Sequence, residues 1–312
     1  MLGLTAPEVR SSPWPILRRL AERLPRWRRA PRARLDVVVA RPPRRLAAVA
    51  EQGPPLDPVV LRQWIYGPGC LLPADETYLK EIMSPMGLTP EMSVLDLNAG
   101  MGGTGLAITQ EWKSYITGFD RNPDLVKAGA SFLRTQKAGR RVQLAPYDPE
   151  HFELRPAFYD GVIAREVIST LADKEAFLHA VSLGLKSFGQ VVITDFVRGD
   201  APTDDAAYCG WAERQERKPL LWAGEEYAAC LERLGCNVLI AKDTTASYRS
   251  LLLRSWRSFL DHPELRNLRG RRALPLLSEV ERCIRTLAAI DAGALRYFYV
   301  YAQNTRSTAP VR

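Results

Sequence analysis

The chain has 312 residues, 46% of them hydrophobic and 25% charged, with a formal net charge of +8 and five cysteines. That length holds one large α/β domain with insertions or two modest domains, and the apolar content is ordinary for a globular protein. No apolar run reaches the ~20 residues of a membrane-spanning helix, no secretory apolar core opens the chain, and Cys70, Cys209, Cys230, Cys236 and Cys283 form no C-x-x-C pair, which speaks against a disulfide framework or zinc and for a reducing cytoplasm.

The charge is unevenly placed. Between Arg10 and Arg45 stand twelve arginines and no lysine, against Glu22 and Asp36, so this stretch carries +10 and the remainder −2. The basic character belongs to an N-terminal extension, residues 1–50, and a body without excess positive charge weighs against nucleic acid as its ligand. Within the extension Trp14, Leu17, Leu20, Ala21 and Leu24 fall at helical spacing, with Arg18, Arg19 and Arg23 off that face, bounded by Pro13, Pro15 and Pro25. Such a helix is either a tail, solvated or packed on its own domain, or a peripheral contact with an anionic membrane. The early prolines favour the tail.

Residues 51–90 read as a leader of lid helices, in which Trp64-Ile-Tyr-Gly-Pro-Gly precedes a helical stretch from Pro73 to Met83. Strands are predicted near 93–97, 115–119, 141–146, 161–165 and 190–196, with helical patterns at 102–112, 123–136 and 173–186. Strands alternating with helices of this length predict an α/β fold with a doubly wound, mostly parallel sheet. Residues 203–235 read as helical and aromatic-rich, Asn237–Ala241 as a strand, 246–268 and 275–291 as helices, and Leu295–Ala302 as the last of seven strands. The expected organisation after the extension and leader is a core at 91–200, a helical cap with a late strand at 201–292, and a final strand and tail at 293–312.

The chemistry concentrates between Val94 and Thr104. An apolar strand runs into Asp96, a small-residue turn follows with Asn98, Ala99, Gly100, Gly102 and Gly103, and a helical pattern begins. Glycines there let a ligand approach the backbone, and the helix start offers it unpaired N–H groups. A dinucleotide site asks for G-x-G-x-x-G, and Asn98 stands in the first glycine place. Asparagine is the non-glycine residue most tolerant of positive φ, so a mild substitution is expected. Asp120, followed by Arg121, ends the second strand ~20 residues past the turn, where an acid can accept ribose hydroxyls. Tyr147 and Asp148 end the third strand, and Arg165 and Glu166 the fourth.

Taken in order, these four strand ends resemble the S-adenosylmethionine-binding core of the class I methyltransferases over about residues 90–200. The resemblance implies S-adenosylmethionine as cofactor, with contacts at Asp96, Asn98, Gly100, Gly102, Asp120, Arg121, Tyr147, Asp148 and Arg165. The Asp148 carboxylate would take the adenine amino group. No metal is expected. Over roughly residues 60–260, Tyr66-Gly-Pro-Gly, Arg165–Phe177, Leu185–Phe196 and Ala241–Tyr248 are further similar to phosphoethanolamine and related small-amine N-methyltransferases. The departures fall on the acceptor side. The family's histidine after the fourth strand is Thr170 here, its leader tyrosine is Arg62 with Trp64 and Tyr66 nearby, and its phosphate-gripping tyrosine is Phe196. The resemblance thus implies a small-molecule acceptor, and the missing His and Tyr argue against a phosphorylated amine.

Methyl transfer from a sulfonium is an in-line displacement in which the protein mainly positions the acceptor, and a base helps only an acceptor that arrives protonated. The candidate catalytic residues are Arg165, to anchor an acceptor carboxylate, Glu166, to accept from an acceptor amine, and Tyr66 from the leader; the alternative for Arg165 and Glu166 is that they pair with each other's neighbours as scaffold. Asp195 is a further candidate to face the acceptor. Trp64, Tyr66, Tyr208, Trp211 and Trp222 supply either aromatic walls for a cation or the cap's own core. His151 could line the adenine pocket, although structural or surface roles are expected of His151, His179 and His262. Asp124, Asp160 and Asp173 read as helix caps or turn residues. The expected function is methyl transfer to N, O or S of a small molecule, in the cytoplasm or at a membrane periphery. Two alternatives stay open: a non-catalytic cofactor-binding descendant, suggested by Asn98 and the missing His and Tyr, and an RNA- or protein-directed methyltransferase steered by the basic extension. Oligomeric state is not legible.

Overall fold

A computed structural model describes residues 54–202 and 205–306, with Arg19 from the N-terminal stretch. The rest of the amphipathic stretch at 14–24, and with it the membrane-contact reading, lies outside the described residues. Strands β1 (Ser93–Asp96), β2 (Tyr115–Asp120), β3 (Val142–Pro146), β4 (Tyr159–Arg165), β5 (Leu185–Arg198), β6 (Cys236–Asp243) and β7 (Leu295–Asn304) form one seven-stranded sheet, ordered β3-β2-β1-β4-β5-β7-β6. Strands β1 to β5 pair in parallel, and β7 runs antiparallel to β5 and β6. The expected mostly parallel, doubly wound α/β sheet is therefore present. Val94, Leu95, Val162, Ile163, Val191, Val192 and Ile193 are fully buried, because helices cover both faces; this is why these strands read as unbroken apolar runs.

The strand order reverses at β1, which lies between β2 and β4. Their carboxyl ends open the crevice where sheets of this kind bind ligands. The helices are α1 (Pro58–Tyr66), α2 (Glu76–Met83), α3 (Gly103–Trp112), α4 (Pro123–Thr135), α5 (Lys174–Gly184), α6 (Ala206–Ala212), α7 (Gly224–Arg233), α8 (Thr245–Phe259) and α9 (Leu274–Asp291). Side-chain caps start several of them: Asp75 accepts from Tyr78 N on α2, Asn122 from Asp124 N on α4, and Asp173 from Ala176 N on α5. Asp173 is thus a cap, whereas Asp124 sits in the first turn that Asn122 caps. Asp160 is neither cap nor turn residue. It lies within β4, accepts from Ser93 N at 2.8 Å and pairs with Lys186.

The 203–235 stretch is not one helical segment. Residues 213–223 leave the helix between α6 and α7, where Pro219 has no N–H to continue a ladder. Helix α7 packs on the sheet, with Tyr227, Cys230 and Leu231 in one apolar cluster with Val191, Ile193 and Val300. The cover over the crevice comes from α1, α6, α8 and α9, whose Leu61, Ile65, Trp211, Leu252, Trp256, Leu276 and Leu287 share a second cluster with Phe196 and Tyr297 of the sheet. Among the described residues no helix is long and apolar enough to cross a membrane.

Candidate active site

The β1–α3 turn is shaped by two left-handed glycines, Gly100 (φ 54°) and Gly102 (φ 85°), a conformation glycine adopts without steric cost. The leader docks directly on it. Gly103 N donates to the Gly69 carbonyl at 3.1 Å, Gln63 accepts from Gly69 N at 3.0 Å, and a Cβ on Gly103 would stand 2.5 Å from the Gly69 carbonyl carbon. Asp120 binds the turn to β2. Its two carboxylate oxygens accept from Gly100 N at 2.8 Å and Asn122 N at 2.9 Å. Burial raises its pKa, against those two backbone donors.

Beside this carboxylate lies a cavity of about 270 Å³, lined by Asn98, Gly100, Asp120 and Arg121 from the core and by Leu71 and Leu72 from the leader. Burial lowers the Arg121 pKa, and the charge of Arg217 adds to that. Four of the expected cofactor contacts are therefore brought together, and five lie outside the cavity wall. Gly102 caps α3. Asp96 is buried beneath the turn. One of its oxygens accepts from Asn98 N at 3.3 Å, the other is buried without a partner, and burial pushes the carboxyl up to about 6. Tyr147 donates its hydroxyl to the Leu97 carbonyl at 2.6 Å and so braces the end of β1. Asp148 is exposed and pairs with His151 at 3.1 Å.

Asn98 is not among the residues with positive φ. Its amide donates to the carbonyls of Arg165 at 2.8 Å and Glu166 at 3.3 Å. The residue thus cross-links the ends of β1 and β4, which a glycine cannot do; side-chain hydrogen bonding, and not backbone tolerance, accounts for it.

Arg165 turns away from the crevice. Its guanidinium donates to Pro73 O at 2.6 Å and Thr104 Oγ1 at 3.2 Å and lies 5.3 Å from the Tyr78 ring centroid. It is a strut between β4, α3 and the leader and lines neither cavity. Glu166 points the other way and lines the cavity. Its φ is +51°, a strained region for a side chain of this size. The conformation is held by Glu166 N donating to Thr194 O at 2.8 Å, by Asn98, and by the Tyr297 hydroxyl donating to the carboxylate at 3.1 Å. Burial pushes this carboxyl up to about 7.

A smaller inner cavity of about 50 Å³ shares Leu71, Leu72, Glu166, Gln215 and Arg282 with the first. Its far walls are Tyr66, Phe196, Trp211 and Tyr248. The ring centroids of Phe196 and Tyr248 are 5.3 Å apart, edge to face, and Tyr248 stacks on Tyr297 at 3.9 Å. Tyr66 therefore does reach the site, and burial raises its pKa. Arg62 of α1 donates to Glu279 at 2.8 Å, and Arg282 donates to the other oxygen of the same carboxylate. Burial works against the charge of Arg282, but Tyr66, Glu279, Tyr248 and Glu166 outweigh it and hold the guanidinium charged. Thr170 lines the outer cavity.

Arg282, Tyr248 and Tyr297 were not singled out as site residues from the sequence. Tyr248 lay in a family-like segment, but Arg282 sits in an ordinary amphipathic helix with no local motif to mark it. Asp195 lines neither cavity. It accepts from Ile168 N, Ser169 N and Phe196 N at 2.7–2.9 Å and caps the turn after β4. Trp64 stacks on His262 at 4.7 Å, and Trp222 packs on Tyr227; neither lines a cavity described here. His151 and His179 are exposed. Among the described residues no group of three His, Cys, Asp or Glu could hold a metal.

The geometry fits a nucleoside-like ligand. A buried carboxylate, that of Asp120, faces the cavity over a turn of left-handed glycines. Comparison with known proteins agrees. Residues 88–235 match the model of a methyltransferase domain. A phosphoethanolamine N-methyltransferase of Triticum aestivum is 25% identical over 194 residues, 61% of this chain and 37% of the relative, so the chain spans under two fifths of that protein's length. The structure of Haemonchus contortus phosphoethanolamine N-methyltransferase 2 in complex with S-adenosyl-L-methionine superposes with a TM-score of 0.70 at 19% identity, covering 80% of this chain and 57% of the other. The cyclase SpnF has the same fold, with a TM-score of 0.60 at 15% identity over 81% of this chain and 98% of its own. With its glycine turn, strand order and matched model, residues 88–235 form a methyltransferase domain with the class I S-adenosylmethionine-dependent fold, similar to the phosphoethanolamine N-methyltransferases.

Proposed function

We propose that this protein transfers a methyl group from S-adenosylmethionine to a small-molecule acceptor, with Glu166 as the base. Asn98, Gly100 and Asp120 would hold the cofactor, Asp120 by accepting from its ribose hydroxyls. The bound cofactor supplies an activated methyl on a sulfonium sulfur; the protein's part is to bind, orient and deprotonate. Glu166 stands where the two cavities meet, with its carboxyl near neutrality, which is where a general base works best. The inner cavity admits a compact group between aromatic walls.

The observation that carries this reading is the strained, triply held Glu166 at the mouth of the inner cavity. Its hydrogen bonds fix the carboxylate at the junction of the two cavities. Titration with S-adenosylhomocysteine tests the cofactor half: micromolar binding that is lost in Asp120→Ala is expected, and no binding at millimolar ligand sinks the reading. Transfer of labelled methyl to a small-molecule extract, lost in Glu166→Gln, tests the catalytic half. Transfer that needs residues 1–50 and goes only to macromolecules would favour the RNA- or protein-directed alternative.

A further inference from the structure

The cap carries a basic surface that the site does not use. Between α8 and α9 the chain makes two short 3-10 turns, Pro263–Asn267 and Gly270–Ala273. Leu265 and Leu268 are buried in the cap's apolar cluster and anchor the segment, while Arg266, Arg269 and Arg271 are exposed and Arg272 is half-buried. Residues 263–274 hold these four arginines against one acid, Glu264, a charge of +3. Glu264 is itself occupied, accepting from the Asn267 amide at 3.1 Å. Among the described residues none of the four guanidiniums has an ion pair or a hydrogen bond, and Arg272 Nε is buried without a partner. Other arginines of the cap are matched: Arg214 and Arg285 share Glu281, Arg249 pairs with Asp291, and Arg254 with Asp75.

Four cations on an anchored backbone, with no free acid among them, suit a surface of negative charge. The chain outside residues 10–45 sums to −2, so the rest of the body is acidic and this face meets such a surface first. The stretch of +10 between Arg10 and Arg45 joins the body beside it. Trp64 of α1 stacks on His262, next to the first 3-10 turn, at 4.7 Å. Asp57, which caps the start of α1, lies about 10 Å of helix from Trp64. The segment has no aromatic residue on which bases could stack. It ends instead in Leu274, 50% exposed, an apolar side chain that the boundary between headgroups and acyl chains can take up. We propose that this face docks on a bilayer of anionic lipid, with headgroup phosphates and carboxylates as the partners of Arg266, Arg269, Arg271 and Arg272, and so holds the methyltransferase domain at a membrane. The N-terminal arginines supply a second hold on the same plane, and two such signals together give stable anchoring where one gives marginal binding.

Co-sedimentation of the full chain with vesicles tests it, using phosphatidylcholine alone and phosphatidylcholine with about a third phosphatidylserine. Binding to the acidic vesicles and not to the neutral ones is expected. Each arginine near such a surface is worth about fivefold in partitioning, so Arg266→Gln, Arg269→Gln and Arg271→Gln combined should weaken binding about a hundredfold. The same three positions changed to Lys keep the charge and should keep the binding. Thermal melts check folding, and Tm should hold because these side chains have no partner to lose. None of them lines either cavity, so S-adenosylhomocysteine binding should be the same in all three proteins. Amide exchange of the parent chain should slow at residues 263–274 on acidic vesicles. Equal binding to both kinds of vesicle, a loss under about tenfold in the Gln variant, or unchanged exchange at 263–274 overturns the proposal. If the Gln variant does not fold, the exchange map of the parent decides by itself. A parent chain that stays off acidic vesicles but binds a mixed-sequence RNA duplex at the same salt shows a nucleic-acid surface and overturns it too.

Discussion

The Tyr297 hydroxyl lies 3.1 Å from a carboxylate oxygen of Glu166 and 3.2 Å from Thr194 Oγ1, joining the antiparallel strand β7 to the end of β4. Two residues 131 positions apart in the chain thereby share control of one proton. Burial raises the Glu166 carboxyl to about 7; Arg165, the Tyr297 hydrogen bond and Arg282 oppose the shift, and Asp195 adds to it.

A base must be ionised to accept a proton, so kcat/KM should rise with pH to a plateau, with its midpoint near 7. Tyr297→Phe removes a hydrogen bond that favours the ionised form, and the midpoint should move up while S-adenosylhomocysteine affinity stays. A midpoint that does not move would show that Tyr297 is only a packing residue.

The same carboxyl has a stability signature. Its folded value exceeds the ~4.3 of an unfolded glutamate, so between these values the folded state binds the extra proton. The contribution of Glu166 to stability is therefore fully present below about 4.5 and is lost as pH rises through 7. Glu166→Gln, which stays neutral, should raise Tm at pH 8 by a few degrees, with little effect at pH 4.5. Differential scanning calorimetry at the two pH values checks the sign.

Asn98→Gly restores the glycine pattern that the sequence lacks. If tolerance of positive φ explained Asn98, the change would be neutral. Because the amide instead holds the carbonyls of Arg165 and Glu166, the loss should cost about 1–2 kcal/mol and lower kcat more than it raises the KM for the cofactor. Urea melts and steady-state kinetics separate the two accounts.

Gly103→Ala tests the docking of the leader. The new methyl would stand 2.5 Å from the Gly69 carbonyl carbon and 2.6 Å from Cys70 Sγ, neither of which gives way cheaply. A loss of about 1–3 kcal/mol is expected, together with faster amide exchange across residues 67–75 and weaker S-adenosylhomocysteine binding. Unchanged exchange there would mean that the leader is held by other contacts alone.

Asp120→Ala leaves the Gly100 and Asn122 N–H groups without their acceptor. A destabilisation of about 1–3 kcal/mol and at least a tenfold loss of S-adenosylhomocysteine affinity are expected, with Asp120→Asn falling between, since it keeps one acceptor oxygen. Equal affinities in all three proteins would remove Asp120 from the ligand site.

The sequence by itself determined the methyltransferase core and its glycine turn. Asp96, the glycine turn and Asp120 act through turn conformation and strand ends, which are properties of short contiguous segments, and a parallel sheet brings such ends together without further information. It also determined the strands, because buried runs and helical spacing are local patterns. Only the tertiary structure decided the rest. It turned Arg165 into a strut and left Asp148 at the surface, since the direction of a side chain at a strand end depends on what packs above it. It gave Asn98 a reason in hydrogen bonds to residues 67 and 68 positions away. And it brought Glu166, Tyr297 and Arg282 to one junction from β4, β7 and α9. This junction is assembled from segments that share no local pattern, so it appears only once β7 and α9 are folded against the end of β4.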